Sequence, residues 1–341
     1  MITPMRAAPL LAAVLLLLSL PRSASAQDPP PVLELRKGDV VVLIGNTLAE
    51  RMQYFNHFET LLMVRFPELQ LRVRNLAWSG DTPALQPRPL NFGDASTHLQ
   101  QQKADVIVAF FGASESFAGE AGLPAFERDL EAYIDKHAAA KYNGRTAPRL
   151  ALVSPIAHER LPHLVHVDAE GHNRDLQRYT EAMRGVASRK RVAFVDLFTP
   201  SRTAMEKTPV PLTDNGIHLN EAGDRVIGGL LMDGLGLATA GSAVASAVQL
   251  KQLEALRAEI AEKNRQFFYR WRPLNAEYVV GRRVEPFGSV SFPPEMRQLD
   301  EIVTDLDNRI WKRARAIGAV QFPPPRRAAV AAPRSPVKRN K

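Results

Sequence analysis

Gly38-Asp-Val-Val-Val-Leu-Ile-Gly-Asn-Thr-Leu-Ala-Glu-Arg-Met52 carries the decisive pattern. Val40 to Ile44 is a continuous run rich in β-branched residues, the signature of a strand buried on both faces. It passes through Gly45-Asn46-Thr47 into a helical stretch from about Leu48 to Phe66, which Pro67 stops. Four further strand-like runs follow at Leu71–Ala77, Val106–Phe111, Leu150–Ser154 and Val192–Asp196. Helical stretches near residues 122–140, 174–189 and 221–234 fill the gaps. Alternation of this kind predicts a three-layer α/β fold, a doubly wound parallel sheet of flavodoxin-like type, over residues 37–237. Sheets of that kind place their sites at the carboxyl ends of the strands.

Residues 1–26 read as an export signal, with Arg6, an apolar run from Pro9 to Leu20, and Ala24-Ser-Ala26 before Gln27. The apolar run is shorter than the ~20 residues a spanning helix needs, which disfavours an uncleaved anchor. Cleavage after Ala26 would leave a linker over 27–36 and an exported protein, periplasmic or secreted, with no later segment apolar enough to span a bilayer. The chain has no cysteine, so disulfides, thiolate nucleophiles and thiolate metal sites are all excluded.

The formal charge of +8 is concentrated at the two ends. Arg6 and Arg22 lie in the signal; Arg326, Arg327, Arg334, Lys338, Arg339 and Lys341 lie in the Pro/Ala/Arg-rich tail, residues 321–341. The body between is formally neutral, so no nucleic-acid partner is indicated. Such a tail is too poor in apolar residues to fold alone; a tether to an anionic envelope surface is the alternative to a plain disordered end. Residues 238–320 form a helical extension. A small-residue linker, Gly236 to Ala247, leads to Leu250, Leu253, Leu256, Ile260, Phe267 and Trp271 at helical spacing, ending at Pro273. A second helical set is Leu299, Ile302, Val303, Leu306 and Ile310. These helices pack on the body or each other, or else offer a docking surface to an envelope partner.

The polar groups that follow the strands resemble, in order and spacing, the consensus blocks of the SGNH (GDSL-like) hydrolase family over about 200 residues. Gly45-Asn46-Thr47 stands where that family has Gly-Asp-Ser, making Thr47 the implied nucleophile at a helix N-terminus, where an oxyanion is stabilised. The same position would suit a plain helix N-cap. Asn75-Leu-Ala-Trp-Ser-Gly-Asp-Thr82 looks like the second block, with Gly80 donating its N–H to the oxyanion. Phe111-Gly-Ala-Ser-Glu-Ser116 stands for Gly-X-Asn-Asp, placing Ser114 at the asparagine of the oxyanion hole with Glu115 beside it. Leu212-Thr-Asp-Asn-Gly-Ile-His-Leu-Asn220 resembles the last block, with His218 as general base and Asp214 or Asn215 to orient it.

Three of these positions depart from the family pattern: Thr47 for serine, Ser114 for asparagine and Asn215 for aspartate. The resemblance implies an ester hydrolase acting on a small-molecule or carbohydrate ester, without a cofactor, through residues Thr47, His218 and Asp214 or Asn215. Gly80, Ser114, Asn46, Glu115 and His158 fall on the substrate side. A bulky thioester or phospholipid stays open as substrate, and the departures keep open a non-catalytic module that binds a glycan or a protein. The variant set also resembles a divergent group in large envelope proteins of planctomycete-type bacteria.

His158, His163, His166 and His172 share one loop-like stretch with Glu159 and Asp168. Their spacing fits no helix-borne zinc motif, so no metal is expected and a polar loop over the site is. Phe267-Phe-Tyr-Arg-Trp271 could stack on sugar rings, although helical spacing points to core. No Gly-rich phosphate loop occurs.

Overall fold

The computed structural model describes residues 31–238, 243–272 and 276–325. The expected signal, part of the linker at each end of the α/β body, Pro273 and most of the basic tail lie outside the described residues. Five parallel strands form one sheet: β1 (Val40–Gly45), β2 (Arg72–Asn75), β3 (Val106–Phe110), β4 (Arg149–Val153) and β5 (Ala193–Val195). Their order, β2-β1-β3-β4-β5, is the flavodoxin-like one, and it reverses between β1 and β3.

In chain order the helices are α1 (Thr47–Phe55), α2 (His57–Arg65), α3 (Ala95–Gln102), α4 (Leu123–Ala138), α5 (Ala169–Lys190), α6 (Phe198–Lys207) and α7 (Glu221–Gly234), followed by α8 (Ala247–Trp271), α9 (Glu277–Val280) and α10 (Phe292–Ile317). One sheet face buries Val41, Leu43, Val73 and Val108 with residues of α2, α7, α8 and α10. The other buries Val42, Ile44, Ile107 and Leu152 with α3, α4 and α5. Every residue of β1 and β3 is buried, as their continuous apolar runs require.

The first helical stretch differs from its expectation. It breaks into α1 and α2 at Asn56, which sits in the left-handed region (φ 63°). Asparagine tolerates that conformation, and after the kink α1 stays against β1 and β2 while α2 packs against α7, α8 and α10. Helices α3 and α6 carry too few apolar residues to show a clear stripe in sequence.

The extension packs on the body. Leu253, Leu256, Ile260 and Phe267 of α8 are buried, as are Val303, Leu306 and Ile310 of α10. Helix α8 lies against α1, α2 and β2, and α10 against α2 and α8. Two buried ion pairs lock this arrangement. The Lys263 ammonium donates to Glu59 (2.5 Å) and to the Val73 carbonyl (3.0 Å), and Asn264 donates to the other Glu59 oxygen (2.8 Å). Arg74 of β2 makes a two-point contact with Asp307 of α10, 3.3 and 2.5 Å. Burial pulls the Lys263 ammonium below its ordinary range, opposed by Glu59 and Asp307. Removing one partner would strand a buried charge, so Lys263→Ala is expected to cost about 3–5 kcal/mol in chemical denaturation. The double variant Lys263→Met/Glu59→Leu, which strands neither, is expected to recover most of that loss.

Candidate functional site

The strand order reverses where β1 meets β3, and the polar groups gather there. Gly45 closes β1 at φ 115°, and a Cβ on it would stand 2.1 Å from the Phe110 carbonyl oxygen of β3. The next residue, Asn46, donates its N–H to that oxygen (3.1 Å). Its side chain accepts from the Leu48 N–H (3.1 Å), so Asn46 is the N-cap of α1. Asn46 is 3% exposed, which removes it from the expected substrate contacts. Thr47 is the first helical residue, half-buried, and is therefore not the cap. Its N–H heads α1 where the helix dipole favours negative charge.

Gly80 lies in the turn after β2 with φ 86°, and a side chain there would meet nothing within 4 Å. Glycine is needed for the conformation, and the turn is open above. Just before it, the Ser79 N–H donates to the carboxylate of Glu50 (2.6 Å), and so does the Ser79 hydroxyl. Asp81 pairs with Arg88 at 2.6 and 2.8 Å. Burial raises the Asp81 carboxyl above its usual range, with Arg88 opposing.

After β3 the chain bends at Gly112 into a short 3-10 turn, Glu115–Ala118. Ser114 is exposed at its start. Glu115 does not face outward as expected of a substrate contact: its carboxylate folds back onto the Gly112 N–H (2.9 Å), and its other oxygen is buried without a partner. Burial raises its pKa to about 7, outweighing the backbone N–H groups of Gly112, Ser114 and Glu115, which favour the anion.

Of the four histidines, the structure brings together His158 and His172. The Ser116 hydroxyl donates to the Ala113 carbonyl (2.7 Å), so its oxygen accepts from His172 Nε2–H (2.9 Å). His172 Nδ1 is then free to accept from His158 Nδ1–H (2.9 Å). That leaves His158 Nε2 an unprotonated atom, buried against Gly216 without a hydrogen-bond partner. Burial holds both rings below the ordinary histidine range, with His158 adding to that effect on His172. His158 is therefore bonded within the loop, and, half-buried, it also lines a cavity with Glu170, Asn173 and Arg202. His163 and His166 are exposed, and no metal-binding group of His, Asp or Glu occurs among the described residues. Glu159 is buried in a different task, accepting from the N–H groups of Leu212 (2.9 Å) and Thr213 (2.7 Å), and so fixes the loop that carries His218.

That loop distinguishes the two orienting candidates. Asp214 is 62% exposed and turns to Arg51 of α1, 3.7 Å away, rather than to the imidazole. Asn215 lies on the ring: its Nδ2 is 3.1 Å from His218 Nδ1. Its Oδ1 accepts from the N–H groups of His218 (3.0 Å) and Ile217 (3.3 Å), which fixes which end of the amide faces the ring. The NH2 group can only donate, so Nδ1 carries no proton and neutral His218 bears its proton on Nε2. Burial first, and then Arg51, hold His218 below the ordinary histidine range, with Asp214 opposing. A shallow pocket beside the ring is lined by Leu48, Arg51, Met52, Ile217 and Leu219, so His218 stands next to the first turn of α1. Thr47 and His218 are not hydrogen-bonded to each other.

Residues 48–226 match the GDSL-like Lipase/Acylhydrolase family. The chain belongs to that family. The matched span opens at the residue after Thr47 and runs into α7. Among solved structures, a gut microbial diltiazem-metabolizing enzyme superposes with a TM-score of 0.60 at 13% identity, covering 83% of this chain and 97% of its own. An acetylxylan esterase from Geobacillus stearothermophilus overlaps at a TM-score of 0.45 and 15% identity, covering 60% of this chain and 97% of its own. An alpha/beta hydrolase enzyme from a Lake Arreo metagenome in Spain gives 0.43 at 21%, with the same two coverages. No curated protein matches the sequence.

Glu50, Arg51 and Arg272 were not singled out in sequence; each lies inside a quoted or adjacent run, but its partner is distant in the chain. The Glu115 carboxyl gives a measurable pH effect. The folded state keeps its proton up to about pH 7, whereas the unfolded chain releases it near 4.5. Between those values the folded state binds more protons, so stability falls as pH rises through that window. Glu115→Gln is expected to lose this part of the slope, a difference of up to about 3 kcal/mol between the two proteins across the window. Parallel denaturation profiles from pH 4.5 to 7 would contradict it.

Proposed function

We propose that this GDSL-family chain is an exported acyl-ester hydrolase of low turnover, acting on a small-molecule ester or, as leading class, removing acetyl groups from a carbohydrate. Export is supported by the N-terminal apolar run and the Ala24-Ser-Ala26 site. The carbohydrate preference is supported by the family and by that location. In this mechanism Thr47 Oγ1 attacks the acyl carbonyl, and the oxyanion is held by the backbone N–H groups of Thr47 and Gly80, with the Ser114 hydroxyl at the rim. The Thr47 proton passes through solvent to the leaving alcohol as the acyl–oxygen bond breaks, and water then cleaves the acyl-threonine, releasing the acid and restoring the Thr47 hydroxyl.

The observation that carries the low turnover is the Asn215 amide on His218 Nδ1. With its proton on Nε2, His218 presents a donor to the cleft and has no lone pair there to accept the proton of Thr47. The opposite tautomer would set Nδ1–H against the Asn215 NH2, donor against donor. In a serine protease that exchange of aspartate for asparagine lowers kcat by ~10⁴ while the oxyanion site still supplies ~10³–10⁴ over water. Arg51 and burial add to the cost of an imidazolium, since both favour the neutral ring. The same donor tautomer supports a second function, a module that binds a glycan or protein carbonyl through His218 Nε2–H without turnover.

Purified mature chain assayed on aryl acetate and on acetylated sugars separates the two. A slow rate is expected, lost in Thr47→Ala, and Asn215→Asp is expected to raise kcat about 10²–10⁴-fold by returning the proton to Nδ1. Absence of hydrolysis in both the natural chain and Asn215→Asp would leave the binding module as the function.

A further inference from the structure

We propose that the C-terminal extension reaches into the site, with Arg272 acting through Glu50 as a positioning pair that sets the Gly80 N–H. The inference takes the cleft to be the ester-hydrolysing site proposed above. Glu50 lies on α1, three residues after Thr47, and its side chain is 9% exposed. One carboxylate oxygen receives both the N–H and the hydroxyl of Ser79, the residue before Gly80. The other receives the Arg272 guanidinium at 2.5 Å. A single buried carboxylate therefore ties the helix that bears Thr47 to the turn that bears Gly80.

Burying that carboxylate is costly unless a cation meets it, and Arg272 is the cation that meets it. Arg272 is held on its own account. Its guanidinium stacks on the Trp78 ring, 3.7 Å from the centroid, and Arg88 lies over the same ring at 4.7 Å. The neighbouring Trp271 is buried and meets Trp78 edge-on at 5.8 Å and His98 at 5.8 Å. The turn's remaining backbone anchors are few: Trp78 N–H to the Gly45 carbonyl (2.9 Å) and Asp81 N–H to the Trp78 carbonyl (3.0 Å). The second closes a turn around Ser79 and Gly80, and the Ser79 N–H itself is held by Glu50. An oxyanion donor displaced by a fraction of an ångström loses its effect on the transition state while leaving ground-state binding nearly intact.

The test uses the full chain with Arg272→Ala, Arg272→Lys and the near-isosteric Glu50→Gln, beside Arg313→Ala, which removes an α10 contact to Glu259 far from the turn. Two readouts are taken: steady-state hydrolysis of aryl acetate, and amide hydrogen exchange resolved at Ser79, whose N–H is bonded to Glu50. Arg272→Ala and Glu50→Gln are expected to lower kcat about 10–100-fold with KM within about twofold, and to speed exchange at the Ser79 amide at least about tenfold while the sheet stays protected. Arg272→Lys is expected to restore part of both, and Arg313→Ala to match the natural chain. Unchanged exchange at Ser79 in Glu50→Gln would overturn the proposal. If the natural chain shows no hydrolysis, the hydrolase function fails by itself, and the exchange measurement still decides whether Arg272 and Glu50 hold the turn.

Discussion

The close approach of β1 to β3 at Gly45 is the constraint on which the site depends. A Cβ at that point would stand 2.1 Å from the Phe110 carbonyl oxygen, so only glycine lets the two strands end together. Their joint ending brings the Thr47 turn and the Gly112 bend to one edge of the sheet. Asn46 then bonds Phe110 on one side and caps α1 on the other, which fixes the direction in which α1 leaves. The third contributor, the loop before α7, is held by the buried Glu159 carboxylate through the N–H groups of Leu212 and Thr213. Thus a backbone contact, a cap and one buried acid place Thr47, the Gly112 bend that carries Ser114, and His218.

The C-terminal helices belong to the same account. Their apolar faces are spent on the body, and their buried charges, Lys263 on Glu59 and Asp307 on Arg74, select one seating for them. Such pairs add little net stability compared with a well-packed apolar contact, but a wrong seating would leave each charge unpaired. A unique seating brings Arg272 onto Trp78 and Glu50, so the extension shapes the edge of the cleft as well as covering β2.

The strands were legible because burial on both faces demands continuous β-branched runs, and their observed bounds differ from the sequence estimate by one or two residues at the ends. The break at Asn56 was not, because an asparagine inside an apolar helical run is locally unremarked; the break turns α2 to pack against α7, α8 and α10, which lie far along the chain. The cap falls on Asn46 and not on Thr47 for a similar reason, since both residues suit a cap and only the backbone decides which one sits outside the helix. Between Asp214 and Asn215 the sequence offers no choice; a turn in which the Asn215 oxygen collects two backbone N–H groups makes it. The Glu50–Arg272 pair joins residues more than two hundred positions apart, a distance at which pattern carries no information.

Chemically, the loop places an amide where a carboxylate would hold a proton on His218 Nδ1, and the direction of that amide is set by its own backbone bonds. Nitrogen-15 spectra of the His218 ring at neutral pH report the tautomer directly. The account requires an Nε2–H imidazole, with the proton moving to Nδ1 in Asn215→Asp. A proton already on Nδ1 in the natural chain would contradict it and would return His218 to service as an ordinary general base.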